Sequence, residues 1–326
     1  MDSSTPPEVS ESGCAPEDYT IGWICMHFKE QTAAIMMLDK RHPDIKKQNN
    51  DPNTYNLGSI ESHNVVIACL PPGCSDTNDN TIAIIAVWMT STFPSIRLCL
   101  IVGMGSGIPS RVRLGDVVVG TPDGEFPAVV EWEDGEGIDG KSSPSPILLS
   151  ALTKLRSNQE IEGSKMQKYL ETFKKHNRLA STYLVSEELK DPLFEKDEDK
   201  TVKEEDTDSV ATYTSNTREA EIHHGLIAST SFLIEDITIR ERLDLKLGSR
   251  RLLCIDTVAS RLVIKFPCMV IRGICDYAGE GRDAYKGWEG PAAAVAAAFA
   301  KEVLCVLPGC QVAGLPTIKS KGTSAF

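Results

Sequence analysis

Residues 96–102 are almost wholly apolar and run straight into Gly103-Met104-Gly105-Ser106-Gly107. A short continuous apolar run is the pattern of a strand buried on both faces, the habit of a parallel sheet covered by helices. A second such run, residues 268–275, ends at Asp276. Residues 19–25, 53–60, 63–70, 117–119 and 252–255 read as further strands. Helical spacing marks residues 30–40, 81–91, 146–157, 236–247 and 257–265, with a more polar helical stretch at 160–180. The Ala-rich residues 291–307 predict a helix with Pro291 at its first position and Pro308 as its stop. Strands alternating with helices predict a three-layer α/β/α sandwich around a central mixed sheet. Ligands in such folds bind beyond the strand C-termini. Three of those ends carry unusual chemistry: 103–107, 229–234 and Asp276.

The 326 residues are 41% hydrophobic, enough for a substantial core, and carry a net charge of −12. So acidic a chain repels nucleic acid and anionic membranes, so neither is expected as a partner. No run approaches the roughly 18 apolar residues of a membrane helix, and residues 1–18 have neither the basic start nor the apolar stretch of a signal peptide. A cytoplasmic location is the resulting expectation. The ten cysteines are spread through apolar runs without a C-x-x-C pair, which predicts reduced, buried thiols and no metal site. Residues 1–18 read as a disordered tail, 19–310 as the folded domain and 311–326 as a C-terminal tail. Residues 187–221 read as an acidic mobile insertion: eleven Asp or Glu against four Lys lie between Glu187 and Asp208.

Several segments, in order, resemble the fungal branch of the purine and uridine phosphorylase (nucleoside phosphorylase) superfamily, whose members are often fused to signalling domains. They are residues 19–25, Asp51-Pro52-Asn53-Thr54-Tyr55-Asn56-Leu57-Gly58, and 63–72, then 93–110, 113–119, 223–229 and 266–277 with Trp288. The resemblance spans roughly Tyr19 to Pro308. It implies a nucleoside phosphorylase-like fold, commonly built into homo-oligomers, that needs no cofactor. It also implies chemistry at an N-glycosidic bond, with phosphate or water attacking the anomeric carbon while an acid helps the base depart.

On that resemblance Asp276 matches the purine-protonating Asp, and Glu30 matches the Glu that positions the attacking water in nucleosidase members. Read from the residues alone, Asp276 equally caps the turn after its strand, and Glu30 equally sits in the first turn of a helix facing solvent. Gly103, Met104, Gly105 and Ser106 match a Gly-rich loop whose small residues admit a ligand and whose N–H groups hold an anion. Phe232, Leu233 and Ile234 replace more polar residues of the base loop and predict an apolar pocket.

Two departures stand out. Where the superfamily has Glu-Met-Glu-Ala, this chain has Asp256-Thr257-Val258-Ala259. Val258 therefore replaces the acceptor of the ribose hydroxyls, and each buried group left unsatisfied costs about 1–3 kcal/mol. Asp76 and Asp79 stand beside the expected phosphate site and would repel a dianion, which argues against phosphorolysis. Thr257 and Val258 are thus expected to line a degenerate nucleoside site.

The sequence leaves three functions open. The first is a fold repurposed to bind a less polar small molecule and catalyse its cyclisation or rearrangement, as in fungal secondary metabolism, a pericyclase such as a Diels-Alderase being one form. The second is a purine nucleosidase using water, with Glu30 and Asp276. The third is a non-catalytic ligand-binding module.

Overall fold

The computed structural model describes residues 14–47, 50–71, 81–132, 139–186, 188–193, 219–248, 251–257, 259 and 268–319. The strands are β1 (Ile21–Cys25), β2 (Lys40–Arg41), β3 (Tyr55–Ile60), β4 (His63–Cys69), β5 (Leu98–Gly107) and β6 (Val117–Gly120). They continue as β7 (Val129–Trp132), β8 (Asp139–Ser142), β9 (Ile222–Thr230), β10 (Leu252–Asp256) and β11 (Cys268–Tyr277). The helices are α1 (Phe28–Met37), α2 (Thr81–Thr92), α3 (Pro146–Glu162), α4 (Met166–Lys174), α5 (Asn177–Tyr183), α6 (Ile237–Lys246), α7 (Glu289–Val306) and α8 (Gly309–Ala313).

The sheet runs β2-β3-β4-β1-β5-β11-β6-β9-β7-β8, and β10 pairs with both β5 and β9. That extra pairing closes β5, β11, β6, β9 and β10 into a ring of five strands. The parallel set β4, β1, β5 and β11 forms the centre, and β3, β6 and β10 join it antiparallel. The sheet is therefore mixed, as expected.

Alternate residues of the central strands feed two apolar layers, as a period of two requires. Trp23, Val65, Ile67, Leu98, Leu100, Met269 and Ile271 meet Ala33, Leu152, Phe173 and Phe299 from α1, α3, α4 and α7. Ile24, Val66, Cys99, Ile101 and Val270 meet Ile85 and Met89 of α2 on the other side. Helix α7 is buried from Gly290 to Leu304. Its small residues let it lie directly on β11: a Cβ on Gly273 would fall 1.9 Å from the Ala292 carbonyl oxygen.

Several sequence expectations change. The glycine segment is not a loop; β5 continues through Gly107, paired with β11 along its length. Helix α7 starts at Glu289, so Pro291 is its third residue rather than its first. The hairpin of β7 and β8 was not expected at all. Order extends past both predicted tails: Pro16–Asp18 form a 3-10 turn, and Ile318 is buried with its N–H donating to the Ile96 carbonyl. The start of the acidic insertion, residues 188–193, is tied to the domain by Asp191. Residues 194–218 of that insertion, Asp76 and Asp79, and most of the helix expected at 257–265 lie outside the described residues. No helix among the described residues is long and apolar enough to cross a membrane. The nine described cysteines are free thiols.

Candidate active site

β1, β5 and β11 run parallel: Ile24, one residue from the end of β1, pairs with Ile101, and β5 and β11 continue together to Gly107 and Tyr277. Helix α1 leaves β1 after two residues, and its third residue is Glu30. His27 caps the helix, and the Glu30 carboxylate reaches back to that cap. Its Oε2 accepts from Met26 N at 2.6 Å and His27 N at 3.1 Å, and its Oε1 accepts from Met104 N on β5 at 2.8 Å. Glu30 is therefore not a solvent-facing residue; it is 4% exposed. Burial pushes its carboxyl above the ordinary range, opposed by the Arg272 charge and by the three N–H donors.

Gly103 makes this arrangement possible. A Cβ there would stand 2.1 Å from Glu30 Oε1. The Met104 N–H, expected to hold an anionic ligand, holds the protein's own carboxylate instead. Gly105 gives room to Arg272 and Cys254: its Cβ would lie 2.5 Å from Cys254 Sγ and 3.2 Å from Arg272 Cβ. Ser106 is buried and pairs in register with Asp276.

Arg272 was missed from the sequence, although a charged residue inside the apolar run of β11 demands a partner. It is 1% exposed. Its Nε and Nη2 both donate to Asp256 Oδ2, at 2.9 and 2.8 Å. Burial disfavours the guanidinium charge, but Asp256 and Glu30 outweigh it and raise the group further above its usual value. Asp256 Oδ1 accepts from Ala259 N at 3.0 Å. Asp256 is thus the counter-ion of Arg272. Thr257 follows it at the end of β10, and Val258 lies outside the described residues.

Asp276 sits near the end of β11, beyond an irregularity between Ile274 and Asp276. Its Oδ2 faces Arg282 Nε at 3.1 Å and accepts from Cys275 Sγ at 3.6 Å. Its Oδ1 is buried without a hydrogen-bond partner, and so is Arg272 Nη1. Unsatisfied buried polar atoms are costly and uncommon, and they mark places where a ligand or water completes the bonding. Burial pushes the Cys254 thiol well above its ordinary range, helped by the Asp256 and Asp276 charges and opposed by Arg272.

The expected base loop closes the other side. Thr230 Oγ1 donates to the Phe232 and Asp256 carbonyls. Phe232 packs at a tilt on Trp132, with centroids 6.0 Å apart. Ile234 is buried and its carbonyl accepts from Gly279 N, just beyond Asp276. Leu233, between them, is half-buried. The structure therefore sets Glu30 against Gly103 and Met104, Gly105 against Arg272, and Ser106 beside Asp276, and adds Asp256 and Arg282 as counter-ions of Arg272 and Asp276.

No family model matches the chain. Comparison with solved structures finds a 5'-methylthioadenosine/S-adenosylhomocysteine nucleosidase from Neisseria meningitidis, in complex with methylthio-immucillin-A. It has TM-score 0.56 and 14% identity, over 87% of this chain and 98% of that one. The same enzyme from Colwellia psychrerythraea 34H, in complex with adenine, gives TM-score 0.57 and 14% identity over 91% and 98%. Futalosine hydrolase of Helicobacter pylori strain 26695 gives 0.54 and 12% over 88% and 98%. The chain has the nucleosidase fold. In sequence it is 35% identical to a nucleotide-binding leucine-rich repeat (NLR)-like protein of Hyaloscypha variabilis, across 94% of this chain. The chain spans about a third of that relative's length, 31%. In this chain Glu30 follows the C-terminal end of β1 and Asp276 lies near that of β11, the region where α/β sheets bind ligands, while Arg272 lies within β11, paired with Gly103.

Proposed function

We propose that the chain is an N-ribohydrolase that splits the N-glycosidic bond of a purine nucleoside with water. The observation that carries this reading is the pair of buried, unpartnered atoms on β11, Asp276 Oδ1 and Arg272 Nη1, together with the buried carboxylate of Glu30 on the helix that follows β1. One is a carboxyl oxygen and the other a charged donor, so the vacant bonding fits a ligand with both a ring nitrogen and hydroxyl or water oxygens. Proteins of the same fold that hydrolyse nucleosides support the choice of bond.

In the reaction, Glu30 takes a proton from water as the water oxygen bonds to the anomeric carbon. The electrons of the breaking C–N bond pass to the base, and Asp276 delivers a proton to a base nitrogen. Arg272 Nη1 donates to the oxygen-rich side of the sugar. The raised affinity of Glu30 for a proton suits it to the base role.

The cyclisation reading has one supporting observation. Asp256, two residues before Val258 in the sequence, is committed to Arg272 and Ala259 N, while Phe232 and Ile234 belong to an apolar cluster with Trp132. The test is incubation with adenosine, guanosine, inosine and uridine, with and without phosphate, reading free base by chromatography. Base release without phosphate, abolished in Asp276→Asn, is the expected result. No release from any nucleoside overturns the hydrolase reading and favours the less polar substrate.

A further inference from the structure

The first residues of the acidic insertion grip the segment that follows Asp276. Asp191 Oδ2 accepts from the Tyr277 hydroxyl at 2.7 Å and from Leu114 N at 3.3 Å. Its Oδ1 accepts from Leu193 N at 3.1 Å, which closes a turn in the insertion itself. The Lys190 carbonyl accepts from Trp288 Nε1 at 3.2 Å. Leu189 lies against Gly287, where a Cβ would stand 2.8 Å from its Cδ1 and φ is +103°. Three consecutive residues thus hold both ends of the stretch from Tyr277 to Trp288.

That stretch carries the chemistry. Tyr277 directly follows Asp276, and Arg282, which meets Asp276 Oδ2, lies within it. Tyr285, on the same 3-10 turn as Arg282, packs edge-on against Tyr277 with centroids 5.5 Å apart. Tyr277, Tyr285 and Trp288 are all buried, so a shift of one carries the others. Burial first, and the Asp191 carboxylate second, push the Tyr277 hydroxyl well above its usual range, so it stays a donor to Asp191.

We propose that Asp191 is a positioning residue. It acts through Tyr277 to fix the Asp276 carboxyl and Arg282 in the geometry of the site. The assignment of a role in turnover rests on the hydrolase reading above; the mechanical part does not. A surface insertion has no need of a carboxylate aimed at a buried tyrosine, and a plain loop anchor would be met by the Trp288 contact alone.

The test joins hydrogen exchange with kinetics, on Asp191→Ala, Asp191→Asn and Tyr277→Phe in the full chain. Asn keeps an oxygen for the tyrosine, and Phe removes one buried oxygen while filling the same space. Loss of a hydrogen bond to a charged group predicts exchange at least about 10-fold faster over residues 277–288 in Asp191→Ala and Tyr277→Phe. Asp191→Asn, which keeps an oxygen for the tyrosine but loses the charge and one acceptor, is expected to fall between the parent and Asp191→Ala. In base release, kcat falls about 10-fold with KM changed less than about 2-fold. The effect of Asp191→Ala disappears in the Tyr277→Phe background. Unchanged exchange overturns the proposal, and so does faster exchange with kcat retained. Should the parent release no base, the hydrolase reading fails. The exchange result and its coupling to Tyr277 then decide the proposal alone.

Discussion

Arg272 donates from two nitrogens to one oxygen of Asp256 and keeps its third, Nη1, buried and unpartnered. The pair is nearly inaccessible to solvent, with side chains 1% and 4% exposed. A buried pair of this kind is weak evidence for net stability, but breaking it strands a charge in the core. Arg272→Met is therefore expected to lower unfolding free energy by about 3–5 kcal/mol. Adding Asp256→Leu should recover much of that loss. Urea denaturation of the two variants measures both steps. A double variant as unstable as the single one would show that the ion pair itself, rather than the stranded carboxylate, is what matters.

Gly103 is required by Glu30 rather than by a turn. Gly103→Ala would put a methyl group 2.1 Å from Glu30 Oε1 and only slightly farther from the rest of the carboxyl. Overpacking of this kind costs about 1–3 kcal/mol. Base release should fall at the same time, because the side chain that must move is the proposed base. Gly281→Ala is the matched control, since nothing lies within 4 Å of its added Cβ. Thermal melts and base-release rates for the two variants check the contrast.

Glu30 gives the fold a pH signature with a definite sign. Its carboxyl is raised in the folded protein above the unfolded value of 4.5. The folded state therefore binds the proton more tightly, and the stability this provides is complete below pH 4.5 and lost as pH rises through the folded value. Relative to Glu30→Gln, the parent protein should lose stability as the pH is raised from about 4.5. Paired denaturation curves across that range test it; a difference that grows with pH in the parent's favour contradicts the burial argument.

Much of this architecture was legible because its signals are local. The apolar runs of β1, β5 and β11 and the Ala-rich stretch of α7 each show in a short window. What stayed hidden depends on contacts distant in sequence. Pairing with β11 turns the expected anion loop into strand, and its Met104 N meets Glu30 across 74 residues. Arg272 was a signal left unread, a full charge in a buried strand. Its partner Asp256 could not be named without knowing that β10 crosses back to pair with β5. Asp191 looked like one more acid in a solvated run, and only its contact with Tyr277 separates it from its neighbours.

In the proposed reaction Glu30, Arg272 and Asp276 direct water, not phosphate, to a glycosidic carbon. Its most direct test is turnover of a purine nucleoside in ¹⁸O-labelled water with phosphate present, followed by mass analysis of the released sugar. Free base and a sugar carrying one ¹⁸O atom are expected, with both products lost in Asp276→Asn. A sugar phosphate without the label, or no cleavage of any nucleoside, would contradict it.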